Sequence, residues 1–115
     1  MRFEKVCIEG LAYHLPDNVV TSADIENRLA PLYERLKLPQ GRLELMSGIR
    51  ERRFWDEGVF PSEVATLAGR KAITSSGIDP AQIGCLINAS VCRDFLEPSP
   101  ASVIHNNLKL PSEAF

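Results

Sequence analysis

The run Asp79-Pro80-Ala81-Gln82-Ile83-Gly84-Cys85-Leu86-Ile87-Asn88-Ala89-Ser90-Val91 sets the architecture of this chain. Asp79-Pro80 pairs an N-cap residue with a proline at the first helical position, enough for a single turn. Cys85 to Val91 then reads as a buried strand, with Cys85, Ile87, Ala89 and Val91 on one face. Upstream, Val64, Ala65, Leu67, Ala68, Ala72 and Ile73 form a broad helix face of small residues. Ser62 reads as its N-cap and Gly77 as its C′ residue. So small a face predicts close packing against a sheet. Downstream, Arg93 to Pro98 reads as a loop, and Ser99-Pro100 opens another helix. Ala101, Ile104 and Leu108 share one face of that helix, and Pro111 ends it. Helices alternating with strands predict an α/β sheet with right-handed crossovers.

Towards the N-terminus, Val6-Cys7-Ile8 and Gly10-Leu11-Ala12 read as a first strand, and Tyr13 to Asn18 as a turn. Thr21 and Asp24 have capping-box spacing. Ile25, Leu29, Leu32 and Leu36 recur on one helical face. Pro31 falls inside that pattern, and a mid-helix proline costs ~3 kcal/mol, so a kink or two short helices are expected. Pro39 and Gly41 end the segment, and Ile49 to Trp55 reads as a short charged strand. There is no internal repeat and no linker, so residues 1–115 are taken as one segment.

Composition excludes several classes. The chain has 115 residues, 44% hydrophobic and 24% charged, with 13 Lys plus Arg against 15 Asp plus Glu. Those are globular values. With a net charge of -2 there is no basic surplus for a phosphate backbone, so nucleic acid is not expected. No apolar stretch reaches the ~18–20 residues of a membrane span. Met1-Arg2-Phe3-Glu4-Lys5 runs into Glu9 before an apolar core forms, which speaks against a secretory signal. Cys7, Cys85 and Cys92 are too few and scattered for a disulfide framework, so reduced thiols in a cytoplasm are expected. They have no metal-ligand spacing, and no metal is expected. The Gly-rich dinucleotide and phosphate-loop fingerprints are missing. Asn88-Ala89-Ser90 fits a glycosylation sequon but lies in the predicted buried strand. Cys85 reads as a core residue and Cys92 as a strand-end thiol.

A few polar residues remain as candidates. Arg50, Arg52 and Arg53 form the basic cluster; in an extended segment Arg50 and Arg52 face one way and Glu51 and Arg53 the other. They read either as a solvated edge pairing with acids or as contacts to an anionic group such as a nucleotide phosphate. His14 reads as a turn residue. His105, beside the apolar face of the last helix, reads either as a half-buried helix histidine or as a pocket-lining group near a substrate. Glu97, just before Pro98-Ser99-Pro100, reads on its own as a solvent carboxylate near a positive helix end.

Ser47-Gly48-Ile49-Arg50-Glu51-Arg52-Arg53 resembles the Thr-Gly-Ile-Arg-Glu-Arg segment of the β-ketoacyl-(acyl carrier protein) synthase III family. Gly10 to Pro16, Thr21 to Asp24, Ala65 to Ala72, Gly77 to Ile87, Pro98 to Ala101 and Ile104 to Leu110 resemble further stretches of that family in the same order. Ser90 to Ser99, with Arg53-Phe54-Trp55-Asp56, is most similar to one branch: the OleA-type head-to-head condensing enzymes of long-chain olefin biosynthesis. The resemblance implies a thiolase fold, of which this chain would be the N-terminal part of the first layered α-β-α (βαβαβ) half, incomplete as it stands. It implies an acyltransferase of lipid metabolism that joins two fatty acyl-CoA molecules by non-decarboxylative Claisen condensation.

In that branch the glutamate matching Glu97 crosses a dimer interface and acts as the base on the second acyl chain. Removing a proton α to a thioester needs such a base. The malonyl-using synthases of fatty acid biosynthesis generate their carbanion by losing CO₂ and need none. Arg50, Arg52 and His105 become substrate-binding candidates. Where the malonyl-using family has a tryptophan and an arginine ahead of its Gly-Ile-Arg, this chain has Arg42 and Met46. The family's nucleophilic Cys, and its His and Asn, match nothing here, so the chain alone is expected to be inactive. The implied partners are the remainder of the same enzyme, continuous or as a second chain, a second copy of the complete enzyme, and acyl-CoA or acyl carrier protein as substrate. No cofactor is implied. Two other readings stand beside this one: a malonyl-using synthase III, and a non-catalytic relative that binds an acyl carrier or a partner enzyme.

Overall fold

The computed structural model describes residues 4–115; the reading of Met1-Arg2-Phe3 lies outside the described residues. In chain order the elements are β1 (Asn18–Thr21), α1 (Ser22–Arg28), α2 (Ala30–Leu36), α3 (Arg42–Ser47), β2 (Glu51–Phe54), α4 (Pro61–Ser76), a single 3-10 turn (Pro80–Gln82) and α5 (Pro100–Leu108). They gather into two compact units, residues 15–57 and the described residues 4–14 with 58–115.

In residues 15–57, β1 and β2 pair antiparallel, with Asn18 opposite Phe54 and Thr21 opposite Glu51. β1 replaces the end of the predicted turn. It is short because Thr21 is also the helix cap. The Thr21 hydroxyl accepts the Asp24 N–H at 3.0 Å, and Asp24 accepts the Thr21 N–H at 2.9 Å. The expected capping box is therefore formed. Pro31 does divide the helix: α1 stops at Arg28, and α2 starts with the proline in its first turn.

The apolar face expected for this helix pair is only partly covered. Ile25 and Leu32 are half-buried and Leu29 and Leu36 exposed, whereas Ser22, Glu26 and Tyr33 are buried along with Val20. The polar stripe lies inward because it satisfies backbone groups of a loop far along the chain. That loop contains α3, a helix the sequence did not announce. Gly41 (φ +83°) opens α3 and Gly48 (φ +68°) closes it, both in the left-handed region that costs glycine least.

In the other unit, α4 and α5 pack against each other. A Cβ on Gly69 would lie 3.2 Å from Leu108 Cδ1, and one on Gly10 would lie 3.1 Å from the Ala72 carbonyl oxygen. The small face of α4 is thus used for close approach, to α5 and to the 4–14 segment. Helix α4 starts one residue before the expected cap: Phe60 is the N-cap, and Ser62 is buried inside the first turn. Pro61 fixes that start. Gly77 caps its end, and the Asp79 carboxylate accepts the Ala81 N–H at 2.9 Å in the 3-10 turn. Ser99 caps α5 through the Ser102 N–H at 3.3 Å, and Ile104 is buried between half-buried Ala101 and Leu108 as expected.

The two predicted strands need correction. Among the described residues, neither 6–12 nor 85–91 forms a ladder strand; the sheet is β1–β2 alone. Ile87 and Val91 are 87% and 96% exposed, and Cys85 is exposed rather than core. A strand face is buried only when neighbouring strands and a second layer cover it. One rung is present: Leu86 N–H donates to the Phe115 carbonyl at 2.8 Å, and Phe115 N–H to the Gly84 carbonyl at 3.2 Å. Two slanted bonds that bracket Cys85 in this way follow the parallel pattern. The molecule is mixed α/β.

Candidate functional site

The candidate residues fall in two places, described separately. In residues 15–57, Arg50 is exposed just before β2, and Arg52 is half-buried within it. Ser22, at the start of α1, donates its N–H to the Arg50 carbonyl at 2.9 Å and its hydroxyl to the Ile49 carbonyl. Arg52 Nη2 donates to the same hydroxyl at 3.3 Å, and its buried Nη1 has no hydrogen-bond partner among the described residues. Arg53 Nη1 donates to the Pro16 carbonyl at 3.1 Å. Arg50 and Arg53 are both exposed; Arg52 and Arg53 direct their guanidinium groups at protein atoms, whereas Arg50 is bonded through its backbone carbonyl.

One turn along α1, Glu26 holds the other end of the same loop. Its carboxylate accepts the Gly41 N–H and the Leu43 N–H, both at 2.6 Å, and the Tyr33 hydroxyl at 3.0 Å. The two backbone donors stabilise the ionised form and hold the Glu26 carboxyl below its ordinary range; the same carboxylate pushes the Tyr33 hydroxyl up, after burial. Sequence reading passed over Glu26. Its only local signal is its place four residues after Ser22, and its backbone partners lie 15 and 17 residues away.

In the other unit, Glu97 is exposed in the loop between residue 91 and α5, and its bond to Pro98 is cis. The loop is pinned just before it. Asp94 Oδ1 accepts the Ser62 N–H at 3.0 Å, and the Phe95 ring lies 5.5 Å from that of Phe60, tilted by 42°. His105, half-buried on α5, has Nε2 3.2 Å from the Pro111 carbonyl. It lines an open cleft of about 290 Å³ with Leu86, Ala101, Ser102, Ala114 and Phe115. The structure therefore joins His105 to an apolar cleft on α5 and puts Glu97 on the loop that leads into that helix.

The remaining candidates bear less on chemistry. His14 Nδ1 lies 3.0 Å from Lys71 Nζ. Cys7 donates to Glu9 at 2.8 Å, and that carboxylate raises the thiol's pKa and makes it a poorer nucleophile. Among the described residues no His, Cys, Asp and Glu side chains group to hold a metal, and no helix is long and apolar enough to cross a membrane.

No protein-family model matches the chain. It is 45% identical over 101 residues to the acyl-CoA:acyl-CoA alkyltransferase of Shewanella oneidensis, covering 88% of this chain and 29% of that protein. It is also 45% identical over 108 residues to the Xanthomonas campestris protein of the same name, covering 94% and 32%. Cerulenin-bound OleA of Xanthomonas campestris superposes with a TM-score of 0.85 at 42% identity, over 94% of this chain and 33% of that one. This chain is similar to OleA. It spans about a third of the length of the relatives it matches. A Glu-to-Gln variant of OleA superposes with a TM-score of 0.88 over 98% of this chain. The β-ketoacyl-(acyl carrier protein) synthase III of Koribacter versatilis is more distant, 30% identical over 105 residues and 91% of this chain. The fold is accordingly the corresponding part of the OleA thiolase fold, a partial domain.

Proposed function

We propose that this chain is the N-terminal part of an OleA-type acyltransferase that joins two fatty acyl-CoA molecules head to head, without decarboxylation. The observation that carries this reading is the 45% identity to two acyl-CoA:acyl-CoA alkyltransferases across nearly the whole chain, against 30% to a synthase III. The chain supplies part of the sheet, the Glu97 loop and helix α5. The nucleophilic Cys, the His and the Asn lie on the rest of the enzyme.

In the complete enzyme the cysteine takes one acyl group from its thioester and releases CoA thiol. Glu97, reaching across a dimer, removes a proton from the carbon α to the second thioester. The carbanion attacks the acyl-cysteine carbonyl, a carbon–carbon bond forms, and the cysteine thiolate leaves. Backbone N–H groups stabilise the oxyanion on the way. Exposure of Glu97 on a pinned loop supports this role, because a base that serves a partner's site has to stand out from its own fold. Apolar lining around His105 suits an acyl chain, and exposed Arg50 suits the anionic groups of CoA, with Arg52 behind it. The reaction needs no cofactor, and the reading places the enzyme in the cytoplasm.

Glu97→Ala in the complete enzyme tests the assignment. Cysteine acylation, followed by intact mass, should persist. Condensation should fall by on the order of 10²–10⁴-fold, the usual contribution of a general base. Loss of neither step would remove Glu97 from the mechanism. The 115-residue chain alone should transfer no acyl group.

A further inference from the structure

Helix α4 begins without a cap of its own. Its N-cap is Phe60, whose side chain offers no acceptor, and Pro61 follows. The first turn of any helix leaves N–H groups without intrahelical partners. Here Glu63 turns back to accept the Phe60 N–H at 3.1 Å. The buried Ser62 N–H is taken from 32 residues away, by Asp94 Oδ1 at 3.0 Å. The next residue, Phe95, sets its ring against Phe60 at the same helix end, within the usual range for a tilted aromatic pair. Glu97 is two residues further on, and Ser99 caps α5 two residues after that. The stretch that carries Glu97 is therefore short and tied at both ends, to the start of α4 by Asp94 and Phe95 and to α5 by Ser99.

We propose that Asp94 is a positioning residue for Glu97: its carboxylate bonds the start of α4 and so fixes where the Glu97 loop leaves the body of the protein. This rests on the reading of Glu97 as the base. A base works only within hydrogen-bond reach of its proton, and small misplacements are costly. A tether three residues away limits that displacement. Asp94 itself touches no substrate in this scheme.

The test uses the complete enzyme with long-chain acyl-CoA, and follows cysteine acylation and condensation separately. Asp94→Ala should slow condensation about tenfold, the equivalent of one charge-assisted hydrogen bond, and leave the acylation rate within about twofold. Asp94→Asn keeps an oxygen acceptor for the Ser62 N–H and should restore most of the rate. Equal slowing of both steps would make Asp94 a stability residue only, and no slowing of either would overturn the tether. Should Asp94→Ala fail to fold, Phe95→Ala loosens the other anchor and is read in the same way. Glu97→Ala run alongside separates the two claims. If it spares condensation, the base reading fails; if it abolishes condensation while the Asp94 and Phe95 variants match wild type, only the tether fails.

Discussion

Residues 15–57 and the unit made of 4–14 with 58–115 solve the same problem with unequal success. In the first, polar groups close on one another. β1 pairs β2, Thr21 and Asp24 cap α1 reciprocally, and Ser22 and Glu26 take both ends of the 41–50 loop. In the second, α4 and α5 pack closely, yet 85–91 has a single rung at Cys85, and Ile87 and Val91 face outward. Segments that complete themselves find their partners within the same unit, as Asn18 and Phe54 do inside residues 15–57. Parallel strands of a layered sheet take partners from distant parts of the chain, and the chain spans about a third of its relatives.

The largest expected effect breaks this contrast from the open side. Unpaired apolar strands associate, so the 115-residue chain on its own should form oligomers through 85–91. Ile87→Lys with Val91→Lys should shift it to monomer in sedimentation velocity. Leu45→Lys with Met46→Lys changes side chains that are also largely exposed, but on helix α3, whose backbone is already bonded. That pair should leave the oligomers in place. Dissociation by both pairs would mean that general apolar exposure, not the strand, drives association.

What could be read in the sequence follows the same division. The Thr21 cap, the break at Pro31, Gly77, Asp79-Pro80 and the α5 face were legible because each depends on residues within about one turn. The mixed α/β class was legible from the order of periodic segments. The exposure of 85–91, read as a buried strand, was not, because nothing in Cys85 to Val91 says whether a neighbour is present. Glu26 was passed over because a helical glutamate reads as a surface group unless its acceptor role towards residues 41 and 43 is known. Of the candidate site, Glu97 and His105 could be singled out as residues. Their surroundings could not, since the Asp94 tether and the His105 cleft depend on pairs far apart in sequence.

Acid should weaken the closed side selectively. Backbone donors from Leu43 and Gly41 depress the Glu26 carboxyl. Its contribution is therefore complete above the unfolded pKa, about 4.3 for glutamate, and is lost as pH falls through the lower folded value. Protection of the Gly41 and Leu43 amides, taken against the intrinsic exchange rate at each pH, should be steady from neutrality to about pH 5 and then fall below that range. Glu26→Gln should raise exchange at those amides at neutral pH and flatten the acid dependence. Tyr33 faces the same carboxylate and stays protonated throughout, while Asp24, also depressed, leaves a residual slope. An acid response unchanged by Glu26→Gln would assign it to another group.

The smallest effects sharpen the contrast within the open unit, where two glycines permit close approach to different kinds of neighbour. A Cβ on Gly10 would press on the Ala72 carbonyl oxygen and on Ser76 Cβ, at 3.1 and 3.0 Å. Neither can turn aside without moving the helix, so Gly10→Ala should cost about 1–3 kcal/mol in the complete enzyme's denaturant unfolding. A Cβ on Gly69 meets only the end of the Leu108 side chain, at 3.2 Å. That group can rotate, and alanine in a helix interior gains up to about 1 kcal/mol over glycine. Gly69→Ala should therefore be neutral or slightly stabilising. A cost at Gly69 equal to that at Gly10 would show that the α4–α5 contact is as unyielding as the backbone contact, and that this unit lacks strand partners without lacking a rigid core.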